Sequence, residues 1–237
     1  MSDRASYYNA PIELWRGFLD NPTMILEKVL RYVAAKNYDN VEEAEDGMTV
    51  KFGNKEKAWK DGKKLLKDDY SGVLFSISRK VFWVIHDEPK EEYRLLLLLA
   101  YLAINSMSGH REVNITSTKT MFCRMAGYLR EQDIPRDKKG VPAIGGIIKY
   151  MKNDRSMNYY GEKIRLDLMT MYDNLHFYSE KGKRGFAFMK TQNYNRDECL
   201  KMMSVKLSER TKAYQRNAIK EQMRKAKESD LSCAEKS

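Results

Sequence analysis

The chain has 237 residues, 42% of them hydrophobic and 32% charged, which is enough for one large or two small domains and too apolar for a wholly disordered protein. Its formal net charge of +10 is unevenly placed. Residues 1–108 carry 16 Lys and Arg against 17 Asp and Glu, a net of −1, whereas residues 109–237 carry 27 against 16, a net of +11. The excess in the second half favours a polyanionic partner there, nucleic acid before any other, over a merely solvated basic face.

The sequence carries no signal for secretion or membrane insertion. Its polar N-terminus leads into no apolar signal segment, and the apolar run Leu95–Ile104 is much shorter than the roughly 20 residues of a membrane span. Cys123, Cys199 and Cys233 are too few and too widely spaced for a disulfide framework. We therefore expect a cytoplasmic protein with no membrane contact.

Residues 1–90 predict a mostly helical N-terminal region. Asn21-Pro22 is typical of a helix start, with Asn as the N-cap and Pro in the first turn. The predicted elements, from hydrophobic spacing and charge, are a short helix over 9–20, a helix from Asn21 to about Lys36, an acidic loop over 39–47 and a basic helix over about 54–68. Residues 73–85 mix β-branched and aromatic side chains and fit a strand or a helix.

Residues 91–192 predict a second domain with three helices and a small sheet. The continuous apolar run after Glu92 predicts a helix that is buried on all sides. The elements expected next are a strand over 113–115, a second helix capped by Thr116 or Ser117 and ended by Gly127, an insertion or mobile loop over 128–160, and a third helix from near Gly161.

The third helix and the strands after it show the clearest pattern. Ile164, Leu168, Met171 and Leu175 are spaced by four, three and four residues, which predicts one inward helix face. Strands over 175–178 and 186–190 follow. They are joined by a turn in which glycines permit a tight reversal, Lys181-Gly182-Lys183-Arg184-Gly185.

This order of helix, strand, Gly- and Lys-rich turn and strand resembles a winged-helix, or helix-turn-helix, nucleic-acid-binding domain at the level of the fold. The resemblance covers about residues 92–191. It implies a mainly α protein with a small antiparallel β-wing, and DNA as its partner. Seven cations are then expected to contact phosphate: Lys119, Arg124, Lys163, Arg165, Lys181, Lys183 and Arg184.

The sequence offers little for base reading or for catalysis. The outward face of the third helix is acidic and apolar, whereas Arg, Lys, Asn and Gln are the usual base readers; it comprises Glu162, Leu166, Met169, Thr170 and Asp173. An alternative is therefore a protein–protein interaction adaptor, whose winged fold binds a host or element protein through Leu166 and Met169. No phosphate-binding loop, metal-ligand spacing or nucleophile motif is found, so we expect no cofactor, no metal and no enzymatic activity.

Residues 193–237 predict a basic C-terminal helix with a frayed tail from Ser229. Residues 196–228 hold ten Lys and Arg against five Asp and Glu. Three roles fit such a helix: contact with nucleic-acid phosphates, pairing with a partner helix, or packing of a weak apolar stripe on the domain. We favour the last.

The context comes from the start of the chain. The segment Tyr7-Tyr8-Asn9-Ala10-Pro11-Ile12 is similar to the opening of uncharacterised proteins of bacterial mobile elements. This likeness implies a regulator or replication-associated factor of such an element.

Overall fold

The structure, a computed structural model, describes residues 6–87, 91–109 and 111–234, with side chains as far as 226. It is mainly helical and contains two small antiparallel sheets. The described residues cluster into two compact units. The first, here called the helical unit, comprises those of 1–109 and 118–168; the second, the sheet unit, comprises those of 110–117 and 169–237.

The helical unit begins with a strand, not with the predicted helix. Strand β1 (Tyr7–Pro11) pairs antiparallel with β2 (Leu74–Ser78), and a short 3-10 helix, Ile12–Trp15, follows β1. The helix expected over 9–20 is therefore wrong. The apolar side chains that suggested it are indeed buried, but Tyr8 and Ala10 alternate with exposed neighbours, which is the two-residue period of a strand.

Four helices complete the first part of this unit. They are α1 (Pro22–Asn37), α2 (Val41–Met48), α3 (Lys55–Leu65) and α4 (Arg79–Asp87). Asn21 caps α1 as predicted, because its side chain accepts a hydrogen bond from the Met24 N–H. The acidic segment expected to be a loop is helix α2, since Asn40 caps it in the same way and its acidic first turn suits a helix N-terminus.

The remaining helices of the middle region are α5 (Glu92–Met107), α6 (Thr118–Met125) and α7 (Asp154–Met171). The first two confirm the predicted elements, and Gly127 has the left-handed φ of +81° expected after α6. Helix α7 begins seven residues before Gly161, so the irregular segment ends at 153. That segment is packed, since Ile134, Ile144 and Ile147 are buried.

One position on α7 differs from the prediction. Ile164 and Leu168 are fully buried, as expected, but Met171 is 59% exposed. The buried face of the helix passes through Gly161, Ile164 and Leu168 and continues to the half-buried Tyr172, so Met171 lies to one side of it.

The sheet unit holds the three strands predicted for the wing. Strands β3 (Asn114–Thr116), β4 (Leu175–Tyr178) and β5 (Phe186–Lys190) form an antiparallel sheet in the order β3-β5-β4. Helix α8 (Arg196–Ala234) packs across one face, where a continuous core is formed by Ala187, Met189, Cys199, Met203 and Leu207.

Helix α8 is much longer than the sheet. It has 39 residues, a length of about 58 Å. Its apolar stripe packs as expected at Met203 and Leu207, but Tyr214 and Ile219 are 51% and 56% exposed. The helix continues beyond Ser229, where a frayed tail was expected; residues 235–237 lie outside the described residues.

Candidate nucleic-acid interface

The connection between β4 and β5 presents cations at the tip of a tight hairpin. Lys181 and Arg184 are exposed and Lys183 is partly exposed. Gly182 and Gly185 both have a φ of +82°, a backbone conformation that glycine adopts without strain. A Cβ at Gly185 would also overlap the carbonyl oxygen of Thr116 on β3, so this turn lies close against the sheet.

Arg184 joins the hairpin tip to α8. Its guanidinium carbon lies 4.1 Å from the centre of the Tyr214 ring. A guanidinium over an aromatic face is held by the ring quadrupole while its N–H groups stay available for an anion. The contact therefore orders the tip and brings it beside the part of α8 that leaves the sheet.

The exposed part of α8 is strongly basic. Every residue from 212 to 226 is exposed. Four cations are spaced four residues apart, which places them along one side of the helix: Lys212, Arg216, Lys220 and Arg224. Arg224 and Lys225 form ion pairs with Glu221, the only acidic side chain between 212 and 226.

The other four cations predicted to contact phosphate belong to the helical unit; one of them, Arg165, is buried, and another, Arg124, is partly buried. Arg165 is only 8% exposed and donates a hydrogen bond to Thr118 Oγ1 at 3.2 Å. Arg124 has its Nε and Nη1 atoms buried without a hydrogen-bond partner among the described residues. Burial lowers the pKa of both guanidinium groups. Neither side chain is placed to meet a phosphate.

Lys119 and Lys163 are exposed but already engaged. Lys119 Nζ lies 2.6 Å from the carboxylate of Glu131. Lys163 Nζ lies 4.5 Å from the centre of the Tyr93 ring. A phosphate at Lys119 would have to compete with Glu131, whereas the ring over which Lys163 lies carries no charge.

The side chains expected to contact a protein partner differ in exposure. Leu166 is 53% exposed, whereas Met169 is partly buried. The exposed residues Glu162 and Thr170 on α7, and Asp173 just after it, are acidic or uncharged.

The sequence indicated that α8 is basic and could contact phosphates, but it did not indicate which part of the helix is exposed. Its charge was visible, but charge alone does not distinguish a free helix from one packed on a domain. The four-residue spacing of the cations was the signal in the sequence; the contact of Tyr214 with Arg184, far away in the chain, gave no signal at all.

Two comparisons with known proteins found no match. No protein-family model matches the chain, and no solved structure matches it significantly.

Among the described residues, no group of three or more His, Cys, Asp or Glu side chains could hold a metal ion. None of the helices in the described part combines the length and the apolar character needed to cross a bilayer.

Proposed function

We propose that the protein binds DNA, without catalysing a reaction on it, through one surface of the sheet unit. This surface, here called the basic surface, comprises the hairpin tip with Lys181, Lys183 and Arg184 and two exposed cations of α8, Lys212 and Lys220. The sheet and its basic turn are the wing of a winged-helix domain in this proposal.

The observation that carries the proposal is the contact of Arg184 with Tyr214, 4.1 Å from guanidinium carbon to ring centre. It joins two clusters of cations that the sequence separates by some thirty residues. A duplex that meets the hairpin tip then has the exposed end of α8 beside it, where further Lys and Arg side chains can contact its phosphates. Several simultaneous phosphate contacts are what give a protein useful affinity for DNA.

Binding through this surface is expected to tolerate different DNA sequences. Lysine and arginine contacts to phosphate fix the position of a protein on a duplex but carry no sequence information. The exposed face of α7 supports the same expectation, because Glu162, Thr170 and Asp173 are poor partners for the major-groove edges of bases.

The biological setting rests on the similarity of residues 7–12 to proteins of bacterial mobile elements. That segment is mostly strand β1, in the helical unit. A DNA-binding protein of this kind acts as a transcription regulator or as a replication-associated factor of the element.

The test is a mobility-shift titration of a labelled duplex with the full chain. Changing Lys181, Lys183 and Arg184 together to Ala is expected to weaken binding about tenfold or more at moderate salt, because three phosphate contacts are lost. The matched control changes three exposed lysines on or just after α3 to Ala, namely Lys60, Lys64 and Lys67. Equal affinities of the two triple variants would refute the basic surface, and absence of any shift by the wild type would refute DNA binding.

A further inference from the structure

The sheet unit contains a groove on a second side of α8. Residues 111–115, which include the first part of β3, form one wall, and the helix from Glu198 to Arg216 forms the other. The groove has a volume of about 1500 Å³, above the roughly 300–1000 Å³ of small-molecule sites. Its volume therefore fits a segment of polypeptide better than a metabolite.

The floor of the groove is apolar and incompletely covered. Val113, Ile115 and Met202 pack against the core of the sheet unit but remain partly exposed. Val205 is 50% exposed. Met202 and Val205 lie on a different side of α8 from Met203 and Leu207, which are buried on the sheet. The helix therefore has a second apolar strip that the chain itself leaves open.

The rim of the groove has more cations than carboxylates: five Lys and Arg against Glu112, Glu198 and Glu209. Each carboxylate has a partner within the chain: Glu112 accepts a hydrogen bond from Tyr194 Oη at 2.6 Å, and Glu198 accepts one from the backbone of Asn195 at 2.9 Å. Glu209 forms an ion pair with Lys206 at 3.0 Å.

Three cations of the rim have no such partner. Arg111, Lys201 and Arg216 are exposed and form no ion pair within the described part of the chain. An apolar floor flanked by cations is complementary to a partner segment that carries an apolar strip flanked by Asp or Glu side chains.

We propose that this groove binds an amphipathic, acidic helix of a partner protein. From Met202 to Arg216 the helix wall is about 21 Å long, which matches four turns of a bound helix. In such a complex the partner's apolar face covers Val205 and Met202, and its Asp or Glu side chains meet Lys201 and Arg216. Anchors at helical spacing in a hydrophobic groove are a common mode of peptide recognition. Nucleic acid is the poorer occupant, because phosphates would leave the apolar floor uncovered.

The probe is a synthetic helical peptide of about 15 residues, four turns, with leucines along one face and glutamates elsewhere. A scrambled peptide of the same composition lacks the apolar face and is the control ligand. Fluorescence anisotropy with the full chain is expected to show binding of the amphipathic peptide only. Val205→Asp and Lys201→Glu are each expected to weaken it about tenfold, the effect typical of a central interface residue.

Matched variants on the same helix separate the groove from α8 in general. Ile219→Asp introduces the same charge at an exposed apolar position outside the groove, and Lys225→Glu reverses the charge of an exposed lysine on the side of α8 that faces away from the groove; both are expected to bind the peptide as the wild type does. Equal binding of the scrambled peptide, or unchanged binding by Val205→Asp, would overturn the proposal. Loss of DNA binding in Val205→Asp with peptide binding intact would assign the groove to nucleic acid instead. The proposal does not depend on DNA binding at the hairpin tip, and the triple alanine variant of the tip is expected to bind the peptide normally.

Discussion

The salt dependence of DNA binding can be worked out from the cations of the basic surface. Each phosphate neutralised on duplex DNA contributes about 0.9 to the slope of log K against log salt concentration. Lys181, Lys183 and Arg184 at the tip and Lys212 and Lys220 on α8 make five contacts, a slope of about −4.5. A rise from about 50 to 200 mM salt then weakens wild-type binding about 500-fold. Without the three tip cations the slope is about −1.8 and the loss about 12-fold.

The assay is fluorescence anisotropy of a labelled duplex at four salt concentrations, with wild type and three variants. The second variant, Lys212→Ala with Lys220→Ala, is expected to lower the slope by about 1.8, because two contacts are lost. The α3 triple variant has the same change in net charge as the tip variant and is expected to keep the wild-type slope. If the tip variant kept that slope, or if the α3 variant lost as much as the tip variant, binding would follow overall charge and not this surface.

Two further predictions concern the folded state. Gly182→Ala costs about 1–2 kcal/mol from the left-handed backbone alone, whereas Gly185→Ala, with the same φ of +82°, adds an overlap with Thr116 O on β3; thermal denaturation is expected to show the larger drop in Tm for Gly185→Ala, and equal drops would contradict the close packing of the turn. The second is acid stability. Hydrogen bonds from Lys55 and from the backbone N–H of Phe52 lower the pKa of the buried Glu45 to about 2, from an ordinary 4.5. Its stabilising contribution is therefore complete above pH 4.5 and is lost as the pH falls toward 2. Between pH 4.5 and 2 the urea midpoint of unfolding is expected to fall less in Glu45→Gln than in the wild type, whereas the Asp46→Asn control is expected to fall as the wild type does. If the midpoint of Glu45→Gln fell as steeply as that of the wild type, the role of this carboxylate would be contradicted.

The elements that the sequence predicted well are those set by neighbouring residues. Asn21 before Pro22 and Gly127 after α6 are local signals, and both appear where expected because capping and left-handed turns depend on one or two side chains. The hairpin of β4 and β5 is likewise encoded by its alternating apolar residues and its glycines. Strand β1 was missed because its partner is β2, more than sixty residues away, and a period of apolar residues does not reveal distant pairing.

The burial of two cations predicted to contact phosphate, Arg124 and Arg165, also depends on residues distant in the sequence, as Arg165 illustrates. Position 161 is a glycine, and an added Cβ there would overlap the methyl group of Thr118. This close approach of α7 to the start of α6 leaves no space for solvent around Arg165, which donates to Thr118 Oγ1. The Arg165 guanidinium group therefore makes a buried hydrogen bond inside the helical unit, although the sequence pattern predicted that this side chain would be exposed.

The same reasoning favours the basic surface as the proposed site for DNA. A cation contributes to phosphate binding only if reaching the phosphate does not require breaking an internal ion pair or moving out of a buried position. Lys119 fails this condition through Glu131, and Arg124 and Arg165 fail it through burial. Arg184 meets it, because its contact with the uncharged Tyr214 ring fixes its position without neutralising it. The cations proposed to bind DNA are therefore those of the hairpin tip and of the exposed end of α8. Among the four predicted cations of α6 and α7, Lys163 meets the same condition, because it lies over the uncharged Tyr93 ring.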